Sequence, residues 1–176
     1  SIFVFLPLLV FCVGVRATVA GVGVWARAQD LSGVPSDKIY AIALQESGMR
    51  HPDGLFRPWP WTINSEEGAK RFGSKKEAYD EIKRLAKKGI RNIDVGLMQI
   101  NLRWNWEGVA NTDILNPEVN IMFAAKLLRQ RMKSSNGDVD KAIALYHSKR
   151  ELAGIGYKSS VLLFENQIRA INVTSK

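Results

Sequence analysis

One carboxylate, that of Glu46, lies at a sequence position where it could exchange a proton with a substrate. Glu46 follows an apolar stretch that opens at Pro35 and is ended by Gly48, which places it in the last turn of a predicted helix. The negative end of the helix dipole and partial desolvation both favour the protonated carboxyl group that a general acid needs. The same position also suits a solvated surface group, so Glu46 alone does not indicate a site.

Two later segments carry polar groups of the kind that bind sugars. In the run Asp94-Val95-Gly96-Leu97-Met98-Gln99-Ile100-Asn101, the glycine allows close approach to a ligand, and Gln99 and Asn101 offer amides to hydroxyl and acetamido groups. Tyr146, at the end of a later helix, could donate a hydrogen bond to a carboxylate or a substrate oxygen. The alternatives are a buried turn with locally satisfied polar groups, and a core tyrosine ring.

In order, the three segments resemble the motifs of the lytic transglycosylases of the goose-type lysozyme-like superfamily. Residues 41–48 look like the catalytic Glu-Ser motif, and residues 94–101 are similar to the Gly-Leu-Met-Gln-Ile motif. Asp94 before this glycine and Asn101 after the isoleucine most resemble the specialised enzymes of type III and type IV secretion, pilus and conjugation systems. Weaker matches at Asn120-Ile121 and Tyr146 extend the resemblance over about residues 24 to 150.

The sequence departs from the family pattern at two places. Many members have Tyr-Asn-Ala-Gly where this chain has Tyr146-His147-Ser148. The stretch between Glu46 and Gly96 is also long, since it adds Pro58-Trp59-Pro60-Trp61 and a lysine-rich helix. The shape of the cleft and the substrate register are therefore open.

The resemblance implies a mainly α-helical, lysozyme-like fold with a substrate groove and Glu46 at its floor. It implies cleavage of the bond between N-acetylmuramic acid and N-acetylglucosamine in peptidoglycan, without a cofactor. Glu46 would act first as general acid on the glycosidic oxygen and then as base on the muramic C6 hydroxyl, which gives a 1,6-anhydro product. The residues that would bind or orient the glycan are Ser47, Met98, Gln99, Asn101 and Tyr146.

The role of Asp94 separates this mechanism from its nearest alternative. A hydrolytic muramidase on the same fold would need a second carboxylate to place water or to act as nucleophile, and Asp94 is a candidate. We expect Asp94 instead to order the turn before Gly96 through side-chain-to-backbone hydrogen bonds. A non-catalytic wall-binding protein that kept the groove is a further alternative, against which the joint retention of Glu46, Gln99 and Tyr146 counts.

Two pairs of tryptophans could contact sugar rings. Trp59 and Trp61, and likewise Trp104 and Trp106, are spaced so that both rings of a pair would face one side of an extended segment. Core packing is the alternative for each ring. His51 and His147 are the only histidines and lack a helical metal-ligand spacing, so no metal site is expected.

Charge and the amino terminus indicate where such an enzyme would work. The 25 basic and 17 acidic residues give a net charge of +8, which favours an anionic partner such as nucleic acid, a lipid surface or an acidic cell-wall polymer without choosing among them. The basic helix near residues 75–88 suits a solvated face better than a nucleic-acid site. Residues 1–20 are typical of a signal peptide, cleaved after Ala20 or Ala28, with an uncleaved anchor as alternative. The lone Cys12 lies in this run and does not match a lipid-attachment site. We therefore expect a monomeric periplasmic or envelope enzyme comprising residues 21–176.

Helices must position these residues. We predict helices over residues 24–32, from Pro35 to Gly48, from Ser74 to about residue 88, over residues 117–133, from Asp138 to Tyr146 and over residues 159–172. Ser74 and Glu77 have capping-box spacing, and Asn116 with Pro117 forms a helix start. Residues 49–73 are predicted to be irregular with at most a short hairpin, because alternating strand patterns are nearly absent.

Overall fold

The fold is mainly helical, as expected. A computed structural model describes residues 19–109, 113–147, 161–166 and 168. Its helices are α1 (Val19–Ser32), α2 (Ser36–Ser47), α3 (Lys75–Lys87), α4 (Leu102–Val109), α5 (Pro117–Ser134) and α6 (Val139–His147). Residues 161–166 are also helical, within the range predicted for the last helix.

The ends of these helices follow from local sequence. Ser74 accepts a hydrogen bond from the Glu77 N–H, and Asn116 accepts from the N–H groups of residues 118 and 119, as their positions predict. In a capping box the Glu77 carboxylate would accept from the Ser74 N–H. Here it accepts instead from the N–H of the preceding residue, Gly73, at 2.9 Å. Helix α1 begins five residues before the predicted start at Val24 and ends where expected, before Gly33 at φ 77°.

Residues 49–73 contain more strand than the single short hairpin that the sequence suggested. They form two hairpins, of β1 (Gly48–Arg50) with β2 (Phe56–Pro58) and of β3 (Thr62–Ser65) with β4 (Gly68–Arg71). Two later strands, β5 (Asp94–Val95) and β6 (Ile100–Asn101), join β3 to give a four-stranded antiparallel sheet in the order β4-β3-β5-β6. Strands of two to four residues are too short to show an alternating pattern, so pairing between distant segments defines them.

The helices bury one apolar core beneath this sheet. Helix α1 packs against α5 and α2, and α5 also packs against α6. The core is built mainly of aliphatic side chains and continues into the sheet at Ile63 and Val95. Among the described helices, none combines the length and apolar character needed to span a membrane.

The carboxyl-terminal helical segment is attached to α2. Lys38 Nζ donates to Glu165 Oε2 at 2.7 Å, and both side chains are largely buried. The Phe164 ring stacks on Phe56 of β2, with centroids 5.9 Å apart. These contacts fix residues 161–166 beside the helix that carries Glu46.

Candidate active site

The end of α2, which carries Glu46, is joined to the 94–101 segment through Ser47. Glu46 is half-buried in the last turn, whereas the next residue, Ser47, is wholly buried. The Ser47 hydroxyl donates to the Leu97 carbonyl oxygen at 2.8 Å. Ser47 therefore joins the end of the helix to the turn that was expected to bind substrate.

The Gly96–Gln99 turn connects β5 to β6 and has an unusual backbone. Gly96 has φ 83°, and Gln99 has φ 45°, which non-glycine residues rarely adopt. The Gln99 Nε2 donates to the carbonyl oxygens of Gly96 at 2.9 Å and Thr62 at 3.1 Å. Because these bonds use both protons of the amide nitrogen, a sugar would meet the Gln99 side chain through its oxygen.

Asn120 holds this turn from beneath and has a larger role than the sequence suggested. Its Oδ1 accepts from the Met98 N–H at 2.8 Å, and its Nδ2 donates to the carbonyl oxygens of Val95 at 3.0 Å and Ile114 at 3.1 Å. Asn120 is 1% exposed, and a Cβ at Gly96 would lie only 2.3 Å from its Nδ2. The glycine is therefore needed for space as well as for its positive φ.

Tyr146 reaches the same turn from α6. Its hydroxyl donates to the Met98 carbonyl oxygen at 2.9 Å, next to the carbonyl that Ser47 binds. Burial raises the pKa of Tyr146 well above its usual range. The negative charges of Glu46 and Asp94 raise this pKa further, while Arg131 opposes them. The phenol thus lies within electrostatic reach of both candidate carboxylates.

Asp94 organises a row of side-chain amides. Its Oδ1 accepts from Asn101 Nδ2 at 2.7 Å and its Oδ2 from Asn64 Nδ2 at 3.3 Å. Asn101 Nδ2 also donates to Asn92 Oδ1 at 2.7 Å, and Asn101 Oδ1 accepts from the Trp104 N–H. These hydrogen bonds give Asp94 and Asn101 a shared structural role.

The segment between β2 and β3 joins the parts of the site. The Trp59 N–H donates to the Ser47 carbonyl oxygen at 3.1 Å, and the Thr62 carbonyl oxygen accepts from the Gly96 N–H at 2.9 Å. The half-buried rings of Trp59 and Trp61 lie edge to face with centroids 6.3 Å apart, and residues 60–61 form a turn where an extended segment was expected. The Trp59 ring also packs on His51, and its Nε1 donates to the Phe72 carbonyl oxygen at 2.8 Å.

The second tryptophan pair does not have the predicted geometry. Trp104 and Trp106 lie in helix α4, so the expectation of an extended segment was wrong. Polar residues of this stretch, including Asn105, made the helix difficult to recognise, and the structure shows a kink at Asn105. The Trp104 ring is 73% exposed and carries the Arg103 guanidinium 4.8 Å above it.

Within the described ranges, no three histidine, cysteine, aspartate or glutamate side chains come together as metal ligands. His51 lies against Trp59 in the hairpin region.

The family model that matches the chain places this mainly helical fold in the lysozyme-like class. Residues 64–151, half of the chain, match the family model described as the transglycosylase SLT domain. The chain therefore belongs to this family, whose members are lytic transglycosylases that cleave peptidoglycan. The matched range includes residues 94–101, Asn120 and Tyr146 but begins after Glu46, so the role of Glu46 stays a prediction. No curated protein and no solved structure matches the chain significantly.

Proposed function

We propose that this protein is a peptidoglycan lytic transglycosylase in which Glu46 is the only acid/base catalyst. The observation that carries the proposal is the convergence of three segments on one turn. Ser47 and Tyr146 bind the adjacent carbonyl oxygens of Leu97 and Met98, and Glu46 directly precedes Ser47 in the last turn of α2. This arrangement holds one carboxylate beside backbone and side-chain groups suited to a sugar.

The proposed reaction needs a single proton-transfer group. Glu46 donates its proton to the glycosidic oxygen, so that the bond from this oxygen to C1 of N-acetylmuramic acid breaks and N-acetylglucosamine leaves with a free C4 hydroxyl. The Glu46 carboxylate then takes the proton of the muramic C6 hydroxyl as that oxygen bonds to C1. The product is the 1,6-anhydro sugar, Glu46 is protonated again, and no water is consumed.

The surroundings of Asp94 support this single-carboxylate scheme. Both of its oxygens accept hydrogen bonds from side-chain amides, as a structural carboxylate would. One observation favours the alternative of a hydrolytic muramidase: Asp94 lies in β5, directly before the turn that Ser47 and Tyr146 bind, so a second carboxylate is near. The chemical form of the product distinguishes the two reactions.

The test is digestion of purified sacculi followed by mass spectrometry of the muropeptides. We expect anhydro-muramic ends from the wild type and a loss of rate of about a hundredfold or more in Glu46→Gln, because general acid–base catalysis contributes about 10²–10⁴-fold. Glu118→Gln is the matched control, since it removes an exposed carboxylate that, among the described residues, is paired with Arg27 at the surface.

Each other result has a defined meaning. Reducing muramic ends would replace the lyase by a hydrolase, and Asp94→Asn should then also be inactive. Full activity of Glu46→Gln would reject the mechanism. Absence of cleavage by the wild type, with retained binding to sacculi, would indicate a non-catalytic wall-binding protein.

We further propose that the enzyme works in the periplasm or cell envelope and serves a secretion, pilus or conjugation apparatus. The support is in the sequence: the apolar run at residues 2–15, and Asp94 and Asn101 flanking the Gly-Leu-Met-Gln-Ile motif. Fractionation of cells that express the full chain tests the location. Loss of conjugation or secretion in a Glu46→Gln strain tests the partner machine, and normal transfer in that strain would exclude a catalytic role there.

A further inference from the structure

A large cavity lies beside the candidate active site. It has a volume of about 1170 Å³ and is formed by one face of α3, the loop that leads to β5, the start of α4 and residues 113–115. Much of its wall is apolar, from residues Ile82, Ile90, Ile93, Leu102, Ile114 and Leu115. This volume exceeds that of many small-molecule pockets, so an extended ligand could enter.

The cavity and the active site share the β5–β6 hairpin. Asp94 and Asn101 belong to the candidate site, whereas their neighbours Ile93 and Leu102 line the cavity and are joined by a backbone hydrogen bond of 2.8 Å. Asn92, also in the wall, accepts from Asn101 Nδ2 at 2.7 Å. A ligand bound near Asn101 could therefore continue into the cavity without leaving the protein surface.

Four cations and two carboxylates line the cavity. Lys83 and Lys88 are paired with Asp80 and Glu67, each at 2.8 Å. Of the two carboxylates, Asp113 is paired with Lys75, and Glu66 is exposed. These pairs neutralise part of the rim, so they do not by themselves select an anionic ligand.

Arg91 and Arg103 are different. Arg91 Nη1 donates to the Ala86 carbonyl oxygen at 2.6 Å, and the Arg103 guanidinium lies on the Trp104 ring. Within the part of the chain that the structure describes, neither makes an ion pair with a carboxylate. A guanidinium group presents several donors in a plane that matches a carboxylate, so both arginines can bind an acidic ligand.

We infer that this cavity binds the anionic peptide attached to the muramic acid of the substrate. The inference rests on the proposed function, which supplies a glycan strand whose lactyl groups carry short peptides with free carboxylates. The apolar wall would contact the peptide side chains, and Arg91 and Arg103 would bind its carboxylates. The enzyme would then prefer glycan that still carries its peptides.

The first experiment compares two substrates. Turnover is measured on intact sacculi and on the same glycan after an amidase has removed its peptides. We expect the rate on intact sacculi, divided by the rate on the peptide-free glycan, to fall about tenfold in Arg91→Gln/Arg103→Gln. The reason is that a charge-assisted hydrogen bond contributes about 1.5–3 kcal/mol. The control Lys87→Gln/Lys126→Gln removes two exposed cations outside the cavity and should keep the wild-type ratio. An unchanged ratio in the arginine variant would overturn the inference.

A second experiment separates this inference from the proposed function. The peptide released by the amidase is titrated into Glu46→Gln protein and followed by calorimetry, which needs no turnover. Saturable binding that Arg91→Gln/Arg103→Gln weakens supports the cavity as a peptide site even if the wild type cleaves nothing. Absence of peptide binding overturns the inference and leaves the transglycosylase proposal intact. Thermal unfolding of each variant identifies any that is not folded.

Discussion

Tyr146 connects the chemistry of the site to its structure. Its hydroxyl donates to the Met98 carbonyl oxygen, and burial together with the charges of Glu46 and Asp94 keeps its pKa well above the usual value of 10.0. A phenol with a raised pKa remains protonated at any pH at which the proposed enzyme would work. Tyr146 is therefore a permanent hydrogen-bond donor that fixes the turn facing Glu46.

Replacement of Tyr146 by phenylalanine should lower stability at neutral pH. The Met98 carbonyl would lose this donor, which costs about 1 kcal/mol for a typical hydrogen bond. The variant should also lose activity on sacculi, because the turn to which Ser47 binds would be less firmly held. Urea unfolding at pH 7 and initial rates measure both effects; a wild-type rate would show that the hydroxyl does not position the site.

The same variant makes a prediction at alkaline pH. The pKa of Tyr146 is higher in the folded protein than in the unfolded chain, so the unfolded phenol ionises first as the pH rises. The contribution of Tyr146 to the free energy of unfolding is therefore complete below a pH of about 10 and decreases above that pH. The unfolding free energy of the wild type should therefore decline more steeply above pH 10 than that of Tyr146→Phe. Tyr79→Phe, which changes an exposed ring, should retain the steeper decline.

Single residues of the site could be predicted only where a motif carried them. Glu46, Ser47 and Tyr146 were selected by their segments, and the structure brings Ser47 and Tyr146 to neighbouring carbonyl oxygens. Asn120 was only a weak match, yet it binds residues 95, 98 and 114. Contacts between residues far apart in the chain cannot be read from local periodicity, although an asparagine on the apolar face of α5 was a usable signal.

At the scale of elements, the β5–β6 hairpin depends on one glycine. Gly96→Ala should destabilise the protein by more than about 2 kcal/mol, because it combines a left-handed backbone that costs about 1–2 kcal/mol with a clash against Asn120. Gly137→Ala is the matched control, since Gly137 has the same φ of 83° and nothing within 4 Å of an added Cβ. Equal losses of unfolding free energy in denaturant would show that the packing on Asn120 is unimportant.

Most helices, α4 excepted, were predictable and most strands were not, for a physical reason. Capping residues such as Ser74 and Asn116 act on N–H groups two or three positions away, so local sequence contains the signal. The strands of residues 48–71 pair across turns, and β3 also pairs with β5, about thirty residues later. This sheet supplies the Thr62 carbonyl that binds the Gly96–Gln99 turn, which explains how a segment expected to be irregular supports the site.

For the whole molecule, the excess of positive charge is partly neutralised by an ion-pair cluster at α3. Glu67 accepts from Lys70, Arg84 and Lys88, and Glu81 accepts from Lys70 and Arg84. Lys76 and Lys83 of this helix pair with Asp80, and Lys75 pairs with Asp113. This pairing favours the interpretation of α3 as a solvated face over a surface dedicated to phosphates.

The cluster should make the stability of the whole domain sensitive to acid. Hydrogen bonds from Arg84 and Lys88 lower the pKa of Glu67 to about 2, and those from Arg84 and Lys70 lower that of Glu81 to about 2. The stabilisation is therefore present above the unfolded value of about 4.5 and is lost as the pH falls toward 2. Glu67→Gln/Glu81→Gln should show a shallower decline of unfolding free energy over this interval.

Salt provides an independent check of this prediction. These side chains are exposed, so about 1 M salt should screen their attraction and reduce the difference in slope between the wild type and the double variant. Glu107→Gln serves as control, because Glu107 makes no ion pair with the described residues and its loss should leave the acid slope unchanged. Identical acid slopes for the wild type and the double variant at low salt would mean that the cluster persists in the unfolded chain or forms too weakly to stabilise the fold.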